Sequence, residues 1–379
     1  MCWFSEWSAG LHEGRGDLQL DGAVQSVAYV PPPVICERLQ SIIMREGGEW
    51  TRLSREEPVE YALPTHASQE LREFFALTSS ASASDLFLAR LPGGRVFGAG
   101  AVLSADGRSI ARDVSVDFGK PLSEHWLTGY KKIRPPKPLS GRVAVAATAL
   151  GSGYAHWLLE ELPRLLSLDT SDCDHVIAHG IPSFTRDALD RSGAAAKLLE
   201  PARYSHFQCE QLIVPGLIGE PGYPIPEVSR RLRKFTAGIG KSGSGLGERL
   251  YLSREKSRRR RVTNETELWD WLAARGFVKV HVEELSWAEQ IVAFRDAKVI
   301  VAPHGAALAN GVFCSGGTRI VEIFNRSYVN GCYWRLAAIQ GLDYRPIVRE
   351  GPPPLQHRLD CNVLDIIADI SLIAAAISS

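Results

Sequence analysis

The sequence predicts an α/β protein of two doubly wound halves behind a β-rich leading segment, and three observations predict it. From about residue 143 onward, short apolar strands alternate with amphipathic helices, the rhythm of a parallel sheet covered on both faces. That rhythm runs twice, interrupted at 238–248 by the glycine- and serine-rich stretch GIGKSGSGLGE. Before residue 130 it is absent, replaced by apolar alternations broken by prolines at 31–33 and by Pro-Gly-Gly at 92–94.

Residues 1–130 carry alternations at 23–30 and 95–103 that suit antiparallel strands and hairpins, and KKIRPPKP at 131–138 reads as a linker. The first half, 131–240, has a strand at 143–148 and a helix at 154–168. A strand at 175–179, a helix at 183–192, a strand near 210–214 and a helix at 226–239 follow. The stretch at 238–248 precedes a strand and departs from G-x-G-x-x-G, so it reads as the joint between halves, not a dinucleotide loop. The second half, 241–350, has strands at 249–253, 277–282, 298–302, 318–323 and 343–348. Its helices fall at 264–275, 286–297 and 328–341, with a short one near 306–312. Thr263 or Asn264 caps the first of these, and Ser286 with Glu289 has capping-box spacing. Residues 351–379 end in an apolar run interrupted by Asp365 and Asp369, a packed terminal helix and not a membrane span.

Bulk composition excludes several classes. The 379 residues allow two or three domains, and the 45% hydrophobic content allows a sizeable core. Basic and acidic residues balance at 43 each, so no global field favours nucleic acid. Seven scattered cysteines form no Cys-x-x-Cys pair and read as free thiols of a reducing compartment. MCWFSEWSAG at the start lacks a basic stretch followed by an apolar run, so no signal peptide is expected. The expectation is a cytoplasmic protein with at most peripheral contact at the inner membrane surface.

Ligands of such halves bind outside the carboxyl ends of the strands. VIVAPHGAALAN at 299–310 ends a buried strand at Pro303, turns at His304 and Gly305, and opens a helix with small residues. A helix start offers unpaired N–H groups and a positive dipole end, and Gly305, Ala306 and Ala307 leave the backbone open to a phosphate. YLSREKSRRRRVTNE at 251–265 puts Ser253 and Arg254 at a strand end and Arg258 to Arg261 in the loop beyond. Guanidinium forks suit diphosphate oxygens, and a solvated loop or a site for acidic lipid is the competing reading. Glu322, at the end of TRIVEI, is placed to accept the hydroxyls of a ribose.

GSGYAHWLLEELPRLL at 151–166 raises the other half's chemistry. His156 and Glu160, four apart, project together as an acid/base pair or as sugar ligands. Trp157 turns to another face, where an indole packs or stacks on a sugar ring, and Pro163 kinks the helix. A packed histidine with surface glutamates is the plainer alternative. Gly151-x-Gly153-x-x-His156 approaches a dinucleotide fingerprint but sets histidine where close packing needs glycine. Asp172-Cys173-Asp174 lies at the wrong sheet edge for a metal–diphosphate, and no zinc spacing exists, so no metal or other cofactor is expected.

Four stretches carry a resemblance: YAHWLLEELPRL; LYLSR with the arginine loop and NE; LSWAEQIVAFRDAKVIVAPHGAALAN; and RIVEIF. In this order, over about 140–325, they resemble glycosyltransferase family 61, whose bacterial members are often called capsular polysaccharide biosynthesis proteins. The resemblance implies a GT-B arrangement and inverting transfer from a nucleotide-sugar, a UDP-sugar, to a glycan or lipid-linked saccharide. It implies donor contacts from Arg254, His304, Gly305 and Glu322, with His156 and Glu160 on the acceptor side; Ser253, Arg258, Arg261, Ala306 and Asn310 are further donor-site candidates, and Tyr154 and Trp157 further acceptor-site candidates. The implied reaction is a single displacement needing no metal, with Glu160 the first candidate for the base and His156 the second. Gly153 stands where many members have an aromatic or asparagine before the tyrosine. A dinucleotide-dependent oxidoreductase and a non-catalytic protein binding polysaccharide or anionic lipid are the alternatives.

Overall fold

The structure is a computed structural model that describes residues 29–117, 125–240 and 245–378. Most of the alternation expected at 23–30, and 241–244 of the expected joint, lie outside the described residues.

The second lobe is a five-stranded sheet, parallel throughout. Its order is Val278–Val280, Arg249–Leu252, Val299–Pro303, Arg319–Phe324, Asp343–Val348. In chain order this is 2-1-3-4-5, so the winding reverses between Arg249–Leu252 and Val299–Pro303, and sheets of this kind bind ligands at the carboxyl ends of that strand pair. Helices Glu265–Ala273, Trp287–Asp296 and Cys332–Gln340 accompany the sheet. The Ser286–Glu289 capping box is formed. Asn264 occupies an N-cap position without capping; its side chain exchanges two hydrogen bonds with the Ala368 backbone. The terminal helix, Ile370–Ser378, is tied to this sheet by Arg319 and Arg345, which donate to the carbonyls of Ile377 and Ala376.

The first lobe holds parallel strands in the order His206–Pro215, Lys137–Val145, His175–Ile177, Leu198–Leu199. The central strand starts at Lys137, so the end of the proline-rich stretch is strand and not linker. Pro138 is tolerated because pairing with His175–Ile177 begins only at Val143, leaving one side of the strand unpaired at the proline. Strands Ser84–Pro92 and Arg95–Phe97 run antiparallel to His206–Pro215. The leading segment therefore extends the first lobe into one ten-stranded mixed sheet. It also contains two helices the sequence did not announce, Leu39–Glu46 and Gln69–Ala76.

The leading segment braces the second lobe as well. Phe75 stacks on Trp334 at 5.2 Å, Trp334 Nε1 donates to the Ala62 carbonyl at 3.1 Å, and Arg335 donates to the carbonyls of Thr78 and Ser80. One apolar core runs through both lobes, taking in Trp157 and Leu162 of the first and Trp287, Ile300 and Leu308 of the second. The lobes are thus packed together through this shared core. Among the described residues no helix is long and apolar enough to cross a membrane.

Candidate active site

At the reversal of strand order, the strand Arg249–Leu252 leads into Ser253 and Arg254, and Val299–Pro303 leads into His304 and Gly305. The two turns meet. A Cβ placed on Gly305 would lie 2.1 Å from Arg254 Nη1, so glycine is required for the guanidinium to close on the backbone. Arg254 donates to the Arg259 carbonyl at 3.0 and 3.3 Å, and among the described residues no carboxylate is bonded to it. Burial, then the neighbouring charge of Arg260, pushes its pKa down to about 10, which leaves it cationic at neutral pH. Arg260 holds a left-handed backbone, φ 53°, and donates to the carbonyls of His304 (3.1 Å) and Asn362 (2.9 Å). Its guanidinium lies over the Tyr328 ring.

His304 is buried between rings, stacked on Phe324 at 5.1 Å with Tyr328 and Tyr333 beside it. Its Nδ1 meets Glu322 Oε1 at 2.5 Å, and Tyr344 Oη donates to Glu322 Oε2 at 2.5 Å. Burial raises the Glu322 pKa to about 8. Burial, with the cations Arg260 and Arg254, holds His304 well below the usual imidazole range. The pair is thus uncharged at neutral pH: the Glu322 carboxyl donates to Nδ1, and Nε2 keeps the imidazole proton. Both Glu322 oxygens are engaged inside the protein at zero exposure, so the ribose contact expected of a strand-margin carboxylate has no free oxygen to rest on.

The helix after Gly153 is α-helical over Tyr154–His156, π-helical over Trp157–Glu161 and α-helical again over Leu162–Leu165. Pro163 supplies no N–H there, and the Leu162 N–H reaches back five residues to the Trp157 carbonyl. The expected kink is a widened turn, and it sends adjacent carboxylates to different clusters. Glu160 Oε1 meets His156 Nδ1 at 2.7 Å and accepts the Gly222 N–H at 2.8 Å. Its other oxygen has no partner among the described residues, and the side chain lines a narrow cleft with Thr148, Trp126 and Leu217. Glu161 is buried and accepts the N–H groups of Thr148 and His179, with His179 Nδ1 at 2.8 Å. Burial opposes charge on His179, yet the Glu161 carboxylate outweighs it and holds the imidazole pKa above its ordinary value. A Cβ on Gly151 would lie 1.9 Å from Glu161 Oε2. The glycine turn therefore faces a carboxylate where a dinucleotide would need its pyrophosphate, which removes the oxidoreductase reading of this stretch.

Other expected site residues have different surroundings. Trp157 is 1% exposed and packs edge-on to Phe184 and Trp287, so its indole has no face left for a sugar. Tyr154 Oη donates to Asn310 Oδ1 at 2.5 Å, and Asn310 Nδ2 donates to Gln290 at 3.0 Å; this chain ties the lobes together. Ser253 Oγ is taken by Glu265. Arg258 is exposed, and Arg261 pairs with Asp365 at the surface. Ala306 opens the 3₁₀ helix Ala306–Phe313 directly after the turn. Asp172 pairs with Arg90 and Arg142, and no group of three metal-ligating side chains occurs among the described residues. Arg260 was marked only as one of the run Arg258 to Arg261, while Tyr344 and the Glu161–His179 pair were not singled out from sequence, and no local pattern marks them.

The family model described as Glycosyltransferase 61 matches residues 154–321. Residues 154–321 belong to glycosyltransferase family 61. The family 61 region begins at the lobe-tying Tyr154 and ends one residue before Glu322, so it encloses His156, Glu160, Arg254, His304 and Gly305. The chain is 28% identical over 123 residues to the Bos taurus protein O-linked-mannose beta-1,4-N-acetylglucosaminyltransferase 2, covering 31% of this chain and 21% of that protein. It is 34% identical over 98 residues to the Drosophila melanogaster EGF domain-specific O-linked N-acetylglucosamine transferase, covering 25% of this chain and 18% of that one. The chain thus aligns with only about a fifth of the length of these curated relatives.

Proposed function

We propose that this family 61 protein is a glycosyltransferase of GT-B organisation that grips a UDP-sugar on its second lobe and presents a saccharide hydroxyl from its first. The observation that carries the reading is Arg254: a largely buried guanidinium with no carboxylate bonded to it among the described residues, closed on Gly305 where the strand order reverses. A largely buried cation with no carboxylate bonded to it among the described residues is matched by an anionic ligand, and a diphosphate suits a guanidinium fork beside a glycine turn. Arg254 and Arg260 supply the positive charge, and His304 Nε2–H adds a donor for a phosphate oxygen. Glu322 orients His304 in this scheme and does not touch ribose.

The reaction in this reading is one displacement. Glu160 accepts the proton of the acceptor hydroxyl while that oxygen bonds to the anomeric carbon. The bond from that carbon to the diphosphate breaks, and its electron pair leaves on the phosphate oxygen held by the guanidinium groups. Attack opposite the leaving group inverts the anomeric centre. The names of the two relatives carry N-acetylglucosamine, which makes UDP-N-acetylglucosamine the first donor to test. Assembly of a polysaccharide precursor at the inner face of the membrane is the setting we infer. UDP should raise the melting temperature of the wild type, and Arg254→Ala should abolish the rise. Absence of a shift with UDP, GDP and CMP alike would refute the reading.

A further inference from the structure

The space beside Glu160 is small, about 30 Å³, room for little more than a water or two. A larger recess of about 190 Å³ opens nearby. Trp126 connects them: it lines the Glu160 cleft, and its ring lies 5.7 Å from Phe97 and 6.2 Å from Tyr130, both of which wall the recess. Tyr204 completes the wall, set edge-on to Tyr130 at 6.2 Å. We propose that this recess binds an acidic sugar unit, with Tyr130 and Tyr204 taking the ring and Lys132 and Arg134 taking its carboxylate.

Three observations point to that chemistry. Tyr204 is 42% exposed with the guanidinium groups of Arg203 and Arg134 over its ring at 5.1 and 5.8 Å, so what it offers a ligand is an aromatic surface bordered by positive charge. Lys132 lies over the Tyr29 ring at 4.7 Å and Arg134 over Tyr204 at 5.8 Å, and neither pairs with a carboxylate among the described residues. Among the described residues, Tyr130 Oη is buried without a hydrogen-bond partner, as is His206 Nε2 in the imidazole that sits 5.3 Å from Phe97. Tyr130 itself walls the recess, so its hydroxyl is the polar atom set closest to a ligand there. A neutral sugar would leave both cations unused. A membrane surface would use exposed tips and leave the walled recess empty.

The biological sense of the site, a grip on an acceptor glycan beside the reacting unit, rests on the glycosyltransferase reading; its binding chemistry does not. Calorimetry and saturation-transfer NMR on the full chain test it, with methyl glucuronide, methyl glucoside, inorganic phosphate and equimolar phosphatidylcholine–phosphatidylglycerol vesicles as probes. The glucuronide should bind about tenfold tighter than the glucoside, the worth of one charge-assisted contact. Tyr204→Ala, and the double change Lys132→Ala with Arg134→Ala, should each weaken the glucuronide by about tenfold or more. Tyr204→Phe should retain it, and the UDP-induced melting shift should be unchanged in all three. Equal binding of the two glycosides, equal binding of phosphate alone, or vesicle binding without glycoside binding would each overturn the proposal. A wild type that ignores UDP yet binds the glucuronide would sink the glycosyltransferase reading and leave this site standing.

Discussion

Replacing Glu322 by glutamine isolates the group beneath His304. Burial lifts the Glu322 pKa from 4.5 to about 8. The folded value lies above the unfolded one, so between those pH values the folded protein keeps a proton that the unfolded chain has lost. The group's contribution is complete below about pH 4.5 and is lost as pH rises through about 8. The slope over that window is about 1.4 kcal/mol per pH unit, so the wild type forfeits on the order of 5 kcal/mol by its upper end. Glutamine has nearly the same shape, never ionises, and can donate to His304 Nδ1 while accepting from Tyr344. Glu322→Gln should therefore match the wild type near pH 5 and exceed it by several kcal/mol near pH 9, read from urea unfolding by tryptophan fluorescence across that range. UDP affinity should follow. Above about pH 8 the ionised carboxylate draws the imidazole proton to Nδ1 and turns a lone pair on Nε2 toward the phosphate, so wild-type binding weakens while the variant's does not. Stability curves for the two proteins that run parallel from about pH 5 to pH 9 would refute the reasoning.

Gly305→Ala should weaken UDP by about tenfold or more, measured by titration calorimetry, because the added carbon meets the Arg254 side chain and displaces its guanidinium. Glu160→Gln should lower turnover by about 10²–10⁴ with UDP affinity unchanged, separated by kcat and Kd. Tyr154→Phe leaves Asn310 Oδ1 buried without its donor where the lobes meet, and should destabilise the protein by about 1–3 kcal/mol without altering UDP affinity.

The second lobe was legible in the sequence almost strand by strand, because each parallel strand is a short buried run set off by an amphipathic helix. The turn at His304 and Gly305 was legible for a related reason: a strand end, a glycine and small residues leave few other conformations. Residues whose value depends on the partner lobe were not. Trp157, Tyr154 and Asn310 look the same in one dimension whether they face a ligand or a neighbouring domain, and packing settled them as contacts between lobes. Glu160 and Glu161 are adjacent and chemically alike; only the widened turn assigns one to the cleft and the other to a buried histidine. In the arginine run the four side chains are indistinguishable by type. The left-handed residue Arg260 is the one that donates to the His304 carbonyl, a role set by the bend of the loop. The leading segment disclosed its hairpins but not their attachment, since an antiparallel strand carries no mark of which sheet it will join.

The brace between the leading segment and Cys332–Gln340 also imposes a timetable on synthesis. Ala62 leaves the ribosome 272 residues ahead of the Trp334 indole that will bond to it, and Thr78 waits 257 residues for Arg335. Until Trp334 emerges, Phe75 lacks the indole that stacks on it, and pairing over such separations is slow. A truncated product ending before residue 332 should therefore recruit chaperones or aggregate, and a second lobe expressed alone should lack the Phe75 cover over Trp334 and lose solubility.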